Sequence, residues 1–223
     1  SLECLAEALS KRLEQEDRHV FQETFLRAGK RLEEAGADLE SFIRGEAVVS
    51  VLAAQYLGTM LRADRRQAGR LILEAADRGI DIRELYLGVF QPVQYEIGRL
   101  WQTNAISVAQ EHMATAITQT VMGQLAPRLF AGEKNGKTMV AACVSGELHE
   151  IGMRMVADFF EMSGWDTYYI GANAPASSIA RAVEENKADL LGISATMAFH
   201  LPAVEEIIRE VRKGGMGKNV KIL

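Results

Sequence analysis

The chain has 223 residues, 48% hydrophobic and 25% charged, and a net charge of −5. That suits a globular protein with one large or two modest cores. It argues against a nucleic-acid surface, which needs clustered Lys and Arg, and no apolar run approaches the roughly 20 residues that span a bilayer.

Residues 1–37 carry apolar side chains at helical spacing (Leu2, Leu5, Leu9, Leu13, then Val20, Phe21, Phe25, Leu32) in a strongly charged background. They read as a helical arm or linker, a connector or a dimerisation element. The start, SLECLAEALSKRLEQ, is too charged for a secretory leader. Cys4 and Cys143 are far apart and fit no metal spacing, so a cytoplasmic protein is expected.

Residues 38–131 read as a four-helix bundle with short connections. EAVVSVLAAQYLGTML is followed by DRRQAGRLILEAADRG, which Asp64 can cap and Gly79 can end. The third helix opens with Asp81 and Glu84 at capping-box spacing, and Pro92 is expected to kink it. The fourth opens with Ser107 and Gln110, again at that spacing.

After the Asn135-Gly136 turn the period changes. KTMVAACV, WDTYYIG, ADLLGIS and KNVKIL read as strands, and the segments between them read as helices. Residues 136–223 are therefore expected to form a doubly wound, Rossmann- or flavodoxin-like parallel sheet, making the chain a helical bundle followed by an α/β domain. The chain stops inside the fourth strand, so this domain is expected to be truncated at its C-terminus. Such sheets bind ligands beyond the carboxyl ends of their strands. That directs attention to three loops: Ser145–Glu150, Gly171–Pro175 and Ser194–Phe199.

The first loop holds a histidine, His149, between Glu147 and Glu150. Gly146 and Gly152 make neither a dinucleotide fingerprint nor a phosphate loop, and no G-x-S-x-G is present. Only four histidines exist and no cysteine pair accompanies them, so a zinc site lacks ligands. One imidazole at a strand mouth does fit a metal whose other ligands come with a cofactor, given an acidic partner to fix the tautomer. A bare helix cap or surface loop is the plainer reading of the same residue.

Glu147-Leu148-His149-Glu150-Ile151-Gly152 resembles the D-x-H-x-x-G motif of cobalamin-binding domains, with Glu in place of Asp. Gly192 to Thr196, GISAT, is similar to the family's S-x-L or S-x-T element. The resemblance implies cobalamin as cofactor and His149 as lower axial ligand to cobalt, with Glu147 accepting from the other ring nitrogen. It also implies a nucleotide tail lying among Ser145, Gly146, Glu150, Ile151, Gly152, Gly171, Ser194 and Thr196. Family sheets run on into a Gly-Gly loop along that tail; here the chain stops at Leu223.

Trp101, nine residues, then Glu111-His112 looks like the W-x9-E-H pattern of adenosylcobalamin-dependent photoreceptors. That resemblance implies Trp101, Glu111 and His112 on the upper face, sheltering an adenosyl group, and a sensory or signalling module, in transcription regulation among other settings. It further implies a homo-oligomer or a downstream partner as output. In the family's light sensors the residue after the Trp is a His; here it is Gln102. The alternative is a methyl-carrying corrinoid protein, with methylcobalamin as cofactor and a methyltransferase as partner.

Overall fold

The computed structural model describes residues 40–130, 133–215, 217 and 219–223, with isolated positions between 19 and 30. The expected arm at 1–37 lies almost wholly outside the described residues.

Helix α1 (Val48–Leu61) buries Leu52, Ala53, Tyr56, Thr59 and Met60, a stripe at helical spacing. The chain reverses through Ala63, at φ 59°, into α2 (Arg65–Asp77), whose first turn is capped by the Asp64 carboxylate accepting from the Gln67 amide. Gly79, at φ 93°, follows its end, as the sequence pattern requires. A Cβ at Gly69 would come within 2.8 Å of the Gln124 side chain, so glycine lets α2 press close against α5.

The third helical run begins as α3 (Ile82–Leu85), with Asp81 accepting from the Arg83 amide. It passes through a π-helical segment, Tyr86–Phe90, into α4 (Gln91–Gln102). Pro92 was expected to kink this run. Lacking an N–H, it sits in the first turn of α4, and the helix takes up the mismatch one turn upstream as a π-bulge. Helix α5 (Val108–Leu129) starts at a complete capping box between Ser107 and Gln110. The bundle core includes the tilted ring pairs Tyr56–Phe90 and Tyr86–Phe90.

The α/β part runs β1 (Thr138–Cys143), α6 (Ile151–Met162), β2 (Asp166–Gly171), α7 (Ala176–Glu185), β3 (Leu190–Ser194), a 3-10 turn (Ala198–His200), α8 (Leu201–Lys213) and β4 (Lys221–Ile222). The sheet is parallel with order β2-β1-β3-β4. Alternation along β1 sends Val140 and Ala142 to a core with α7 and α8, and Met139, Ala141 and Cys143 to a core with α6. The fold is thus a helical cap followed by a doubly wound sheet. Strand order reverses at β1, and the ends of β1 and β3 pair in register at Cys143 and Ser194.

Helix α6 serves two partners. Met153 and Ala157 face the sheet, whereas Ile151, Met155 and Phe159, spaced by four, pack into the bundle core. Polar ties reinforce this seam. Tyr86 Oη donates to Asp158 at 2.7 Å, and Arg83 reaches the Met162 carbonyl at 3.2 Å. Burial pushes the Tyr86 hydroxyl pKa up, and the neighbouring Asp158 carboxylate adds to that rise.

Candidate functional site

The carboxyl ends of β1, β2 and β3 meet around one carboxylate. Glu147 has no exposed side-chain surface. Its Oε1 accepts from the His149 amide at 2.9 Å and from His149 Nδ1 at 2.6 Å. Its Oε2 accepts from the Thr196 amide at 2.6 Å and from His200 Nδ1 at 3.1 Å. Burial alone raises a carboxyl pKa. Here the amides of His149 and Thr196, joined by the His149 ring, outweigh it and hold Glu147 down at about 2. The carboxylate is therefore ionised across the physiological range.

An ionised carboxylate can only accept, so His149 donates from Nδ1, which in the neutral ring places the lone pair on Nε2. The ring is 69% exposed, although its orienting partner is wholly buried. The extra methylene of Glu over Asp does not break the contact, because the carboxylate tucks beneath its own loop. The site is thus one imidazole, fixed in tautomer and presented outward.

Neighbouring loops brace the arrangement. Gly146, at φ 84°, adopts a left-handed conformation, and its amide donates to Asn173 Oδ1 at 2.8 Å. The Asn173 amide returns a bond to the Glu147 carbonyl at 3.0 Å, itself from a left-handed residue at φ 54°. Gly152 is exposed, and a Cβ there would meet nothing within 4 Å, which leaves its face open for a ligand. Leu148, Met197, Phe199 and Leu201 form an exposed apolar rim around the mouth.

Glu150 plays a different part from its neighbour. Its Oε1 accepts from Gln119 Nε2 at 2.6 Å, and its Oε2 accepts from Tyr169 Oη at 2.9 Å and the Ala172 amide at 3.0 Å. It joins the bundle to the mouth. Ile151 was expected among the cofactor-facing residues, but its half-buried side chain packs against the bundle core. Gly171, at φ 93°, ends β2 with its α-carbon beside the Glu150 carboxylate. Ser145 is exposed and Ser194 half-buried at the ends of their strands. Cys143 lies beneath the loop, and burial, then the charges of Glu150 and Glu147, push its thiol up to about 11. It stays protonated and is no thiolate ligand.

On the bundle, Glu111 accepts from Thr115 Oγ1 at 3.2 Å and is also hydrogen-bonded to the His112 ring. Glu111, Thr115 and Gln119 recur every four residues on one face of α5, and Gln119 touches Glu150. At about 1.5 Å of rise per residue, Glu111 stands roughly 12 Å along the helix from that contact. Trp101, 46% exposed, ends α4. No hydrogen bond or ring contact joins it to Glu111 or His112 among the described residues.

His200 and Asn173 escaped the sequence reading. The signal for His200 was Pro202, which marks a helix start and so places the histidine at an N-terminus facing the mouth. Asn173 carries only the ordinary turn preference of its type.

The donor set fits a metal that brings its own equatorial ligands. Among the described residues no three of His, Cys, Asp and Glu converge to hold an ion, whereas one oriented imidazole faces outward beside an open glycine. Two family models, each described as a B12 binding domain, match the chain at residues 137–223 and 52–126. The chain is a cobalamin-binding-domain protein. Cobalamin is its cofactor, and the two matched segments are the sheet with its helices and the greater part of the bundle.

The chain is 29% identical over 131 residues to dimethylamine corrinoid protein 1 of Methanosarcina acetivorans, covering 57% of this chain and 61% of that one. It is 23% identical over 171 residues to dimethylamine corrinoid protein 1 of Methanosarcina mazei, covering 76% and 79%. The monomethylamine corrinoid protein of Methanosarcina barkeri shares the fold, with a TM-score of 0.67 at 17% identity, over 77% of this chain and 82% of that one. No described helix of this cobalamin-binding-domain protein is long and apolar enough to cross a membrane.

Proposed function

We propose that this protein carries a methyl group on cobalamin between methyltransferases, with His149 as the lower ligand to cobalt. One observation carries the reading: the alignment to a dimethylamine corrinoid protein runs through both bundle and sheet, over 76% of this chain. Bound cobalamin supplies a cobalt centre that accepts and releases a methyl group. The chain's own residues hold and shield it. Glu147 fixes the His149 tautomer so that Nε2 meets the metal. Gly146 and Gly152 leave room for the tail, with Ser145, Gly171, Ser194 and Thr196 along its path. The bundle is tied to the mouth through Gln119 on α5 and Glu150, and would shield the bound group from that side.

A second reading, adenosylcobalamin-dependent light sensing, is favoured by the Trp101 and Glu111-His112 pattern. In it the exposed Trp101 ring lies against an adenosyl group and Glu111 receives ribose hydroxyls.

Reconstitution in the dark with methylcobalamin and with adenosylcobalamin, followed by green light and size-exclusion chromatography, separates the two. The carrier reading expects tight binding of the methyl form, a His-on absorption spectrum and no change in assembly on illumination. Preference for the adenosyl form with a light-driven change in elution would overturn it in favour of sensing. In either case His149→Ala is expected to abolish the His-on spectrum while leaving far-UV circular dichroism unchanged.

A further inference from the structure

In a chain of net charge −5, Arg62, Arg65, Arg66 and Arg70 crowd around the start of α2, and all four are exposed. Among the described residues none of them forms an ion pair. Arg70 reaches only the neutral Gln67 side chain, its Nε 3.1 Å from Oε1. Asp64, the one acid among them in sequence, accepts instead from the Gln67 amide at 3.0 Å. Other arginines of the bundle are matched: Arg44 with Glu40, Arg78 with Glu74, Arg99 with Glu96 and Arg128 with Asp77.

The cluster does not serve the helix that carries it. Arg65 and Arg66 stand in the first turn of α2, at the positive end of the helix dipole, where a cation is unfavourable. The residue type is selective as well, because residues 41–130 contain arginine and no lysine. A guanidinium fork meets a carboxylate through paired hydrogen bonds, and arginine is enriched at protein interfaces from which lysine is depleted. Two concavities flank this part of α2. One, of about 430 Å³, lies between α1 and α2 and is lined by Arg62 and Leu71. The other, of about 500 Å³, lies between α2 and α5 and is lined by Arg65, Arg66, Arg70 and Leu73. Its acids, Glu74 and Asp77, lie further along α2 and are already paired, with Arg78 at 3.3 Å and Arg128 at 2.6 Å.

We propose that this face of α2 docks an acidic segment of a partner protein. Its Asp and Glu side chains meet the four guanidinium groups, and its apolar side chains enter the concavities beside Leu71 and Leu73. Nucleic acid suits the surface less well: the chain's overall negative charge repels a long polyanion, and leucine floors offer phosphates nothing. The surface uses none of the residues at the sheet mouth, so it does not depend on which group cobalamin carries.

Calorimetric titration of the cobalamin-loaded full chain tests this, with a helical peptide bearing glutamates and leucines on one face as the probe. The peptide is expected to bind with an affinity that falls as salt rises. Changing Arg65, Arg66 and Arg70 together to Gln is expected to weaken binding about tenfold. The same three changed to Lys should fall between, since the charge stays and the fork is lost. Arg181→Gln, on α7, should leave binding as it is. The Gln variant is also expected to melt no lower than the wild type, because it removes cations from the positive end of a helix. A clear drop in its melting temperature would assign the arginines to the fold and overturn the proposal. So would the absence of peptide binding, or binding that the Gln variant leaves unchanged. Tighter binding of a short DNA duplex or of phosphatidylglycerol vesicles than of the peptide would overturn it in favour of a phosphate-bearing partner.

Discussion

Two glutamates are buried at opposite ends of the same sheet, and their surroundings could hardly differ more. Glu161, at the end of α6 near the start of β2, meets a cation, the Lys134 ammonium, and also accepts from the Thr167 amide at 3.1 Å and from the Thr167 hydroxyl. Lys134 in turn reaches the Trp165 carbonyl and Asp166. That end is closed and self-neutralising. Glu147, at the carboxyl mouth, forms no ion pair with a Lys or Arg among the described residues. Its charge is met by amide and imidazole N–H groups, and one of those imidazoles is turned outward. A charge balanced by a local cation stabilises a fold and does nothing further. A charge balanced by oriented dipoles can also set the chemistry of the group that donates to it.

The largest effect is expected from Glu147→Gln. The amide presents its own N–H₂ to one pair of donors, orphaning them in a dry pocket, at a cost of roughly 3 kcal/mol of stability in urea denaturation. Cobalamin affinity is expected to fall by about 10–100-fold, since the His149 tautomer is no longer enforced. Unchanged affinity in this variant would mean that the two ends of the sheet do not differ in the way described.

Acid separates the ends next. The Glu147 pKa is depressed in the folded state, so its contribution is fully present above its unfolded value near 4.5 and is lost as pH falls through about 2. The drop of about 2.5 pH units corresponds to roughly 3 kcal/mol. Thermal melts of the apoprotein between those limits should show stability declining with pH, and the decline should be much flatter in Glu147→Gln.

The smallest effect belongs to Glu161→Gln. Lys134 is 40% exposed and keeps Asp166 and the Trp165 carbonyl, so about 1 kcal/mol is expected to be lost, with no change in the cobalamin spectrum. A spectral change here would break the comparison from its other side.

Where a kink was expected at Pro92, the run instead holds a π-helical segment one turn upstream. Proline forbids one hydrogen bond, but which turn absorbs the mismatch depends on what the helix packs against. In the π segment, Tyr86 and Phe90 both turn into the bundle core. The contact of Ile151 with the bundle was illegible for a related reason. A pattern next to a ligand motif does not reveal that α6 has two buried faces, one for the sheet and one for the bundle.

By itself the sequence determined what depends on neighbours within a few residues. These were the switch from a period of 3.6 to strands, the caps at Asp64 and Ser107, the glycine that ends α2 at 79, and a histidine at a strand mouth two residues after a carboxylate. The tertiary structure decided what depends on strand register and helix packing. Pairing Cys143 with Ser194 brings Thr196 and His200 to the far oxygen of Glu147, some 50 residues away. Packing of Ile151, Met155 and Phe159 fuses cap to sheet. Hydrogen bonds within a turn leave a periodic trace in the chain. Bonds between strand ends leave none, because their partners are chosen by the sheet.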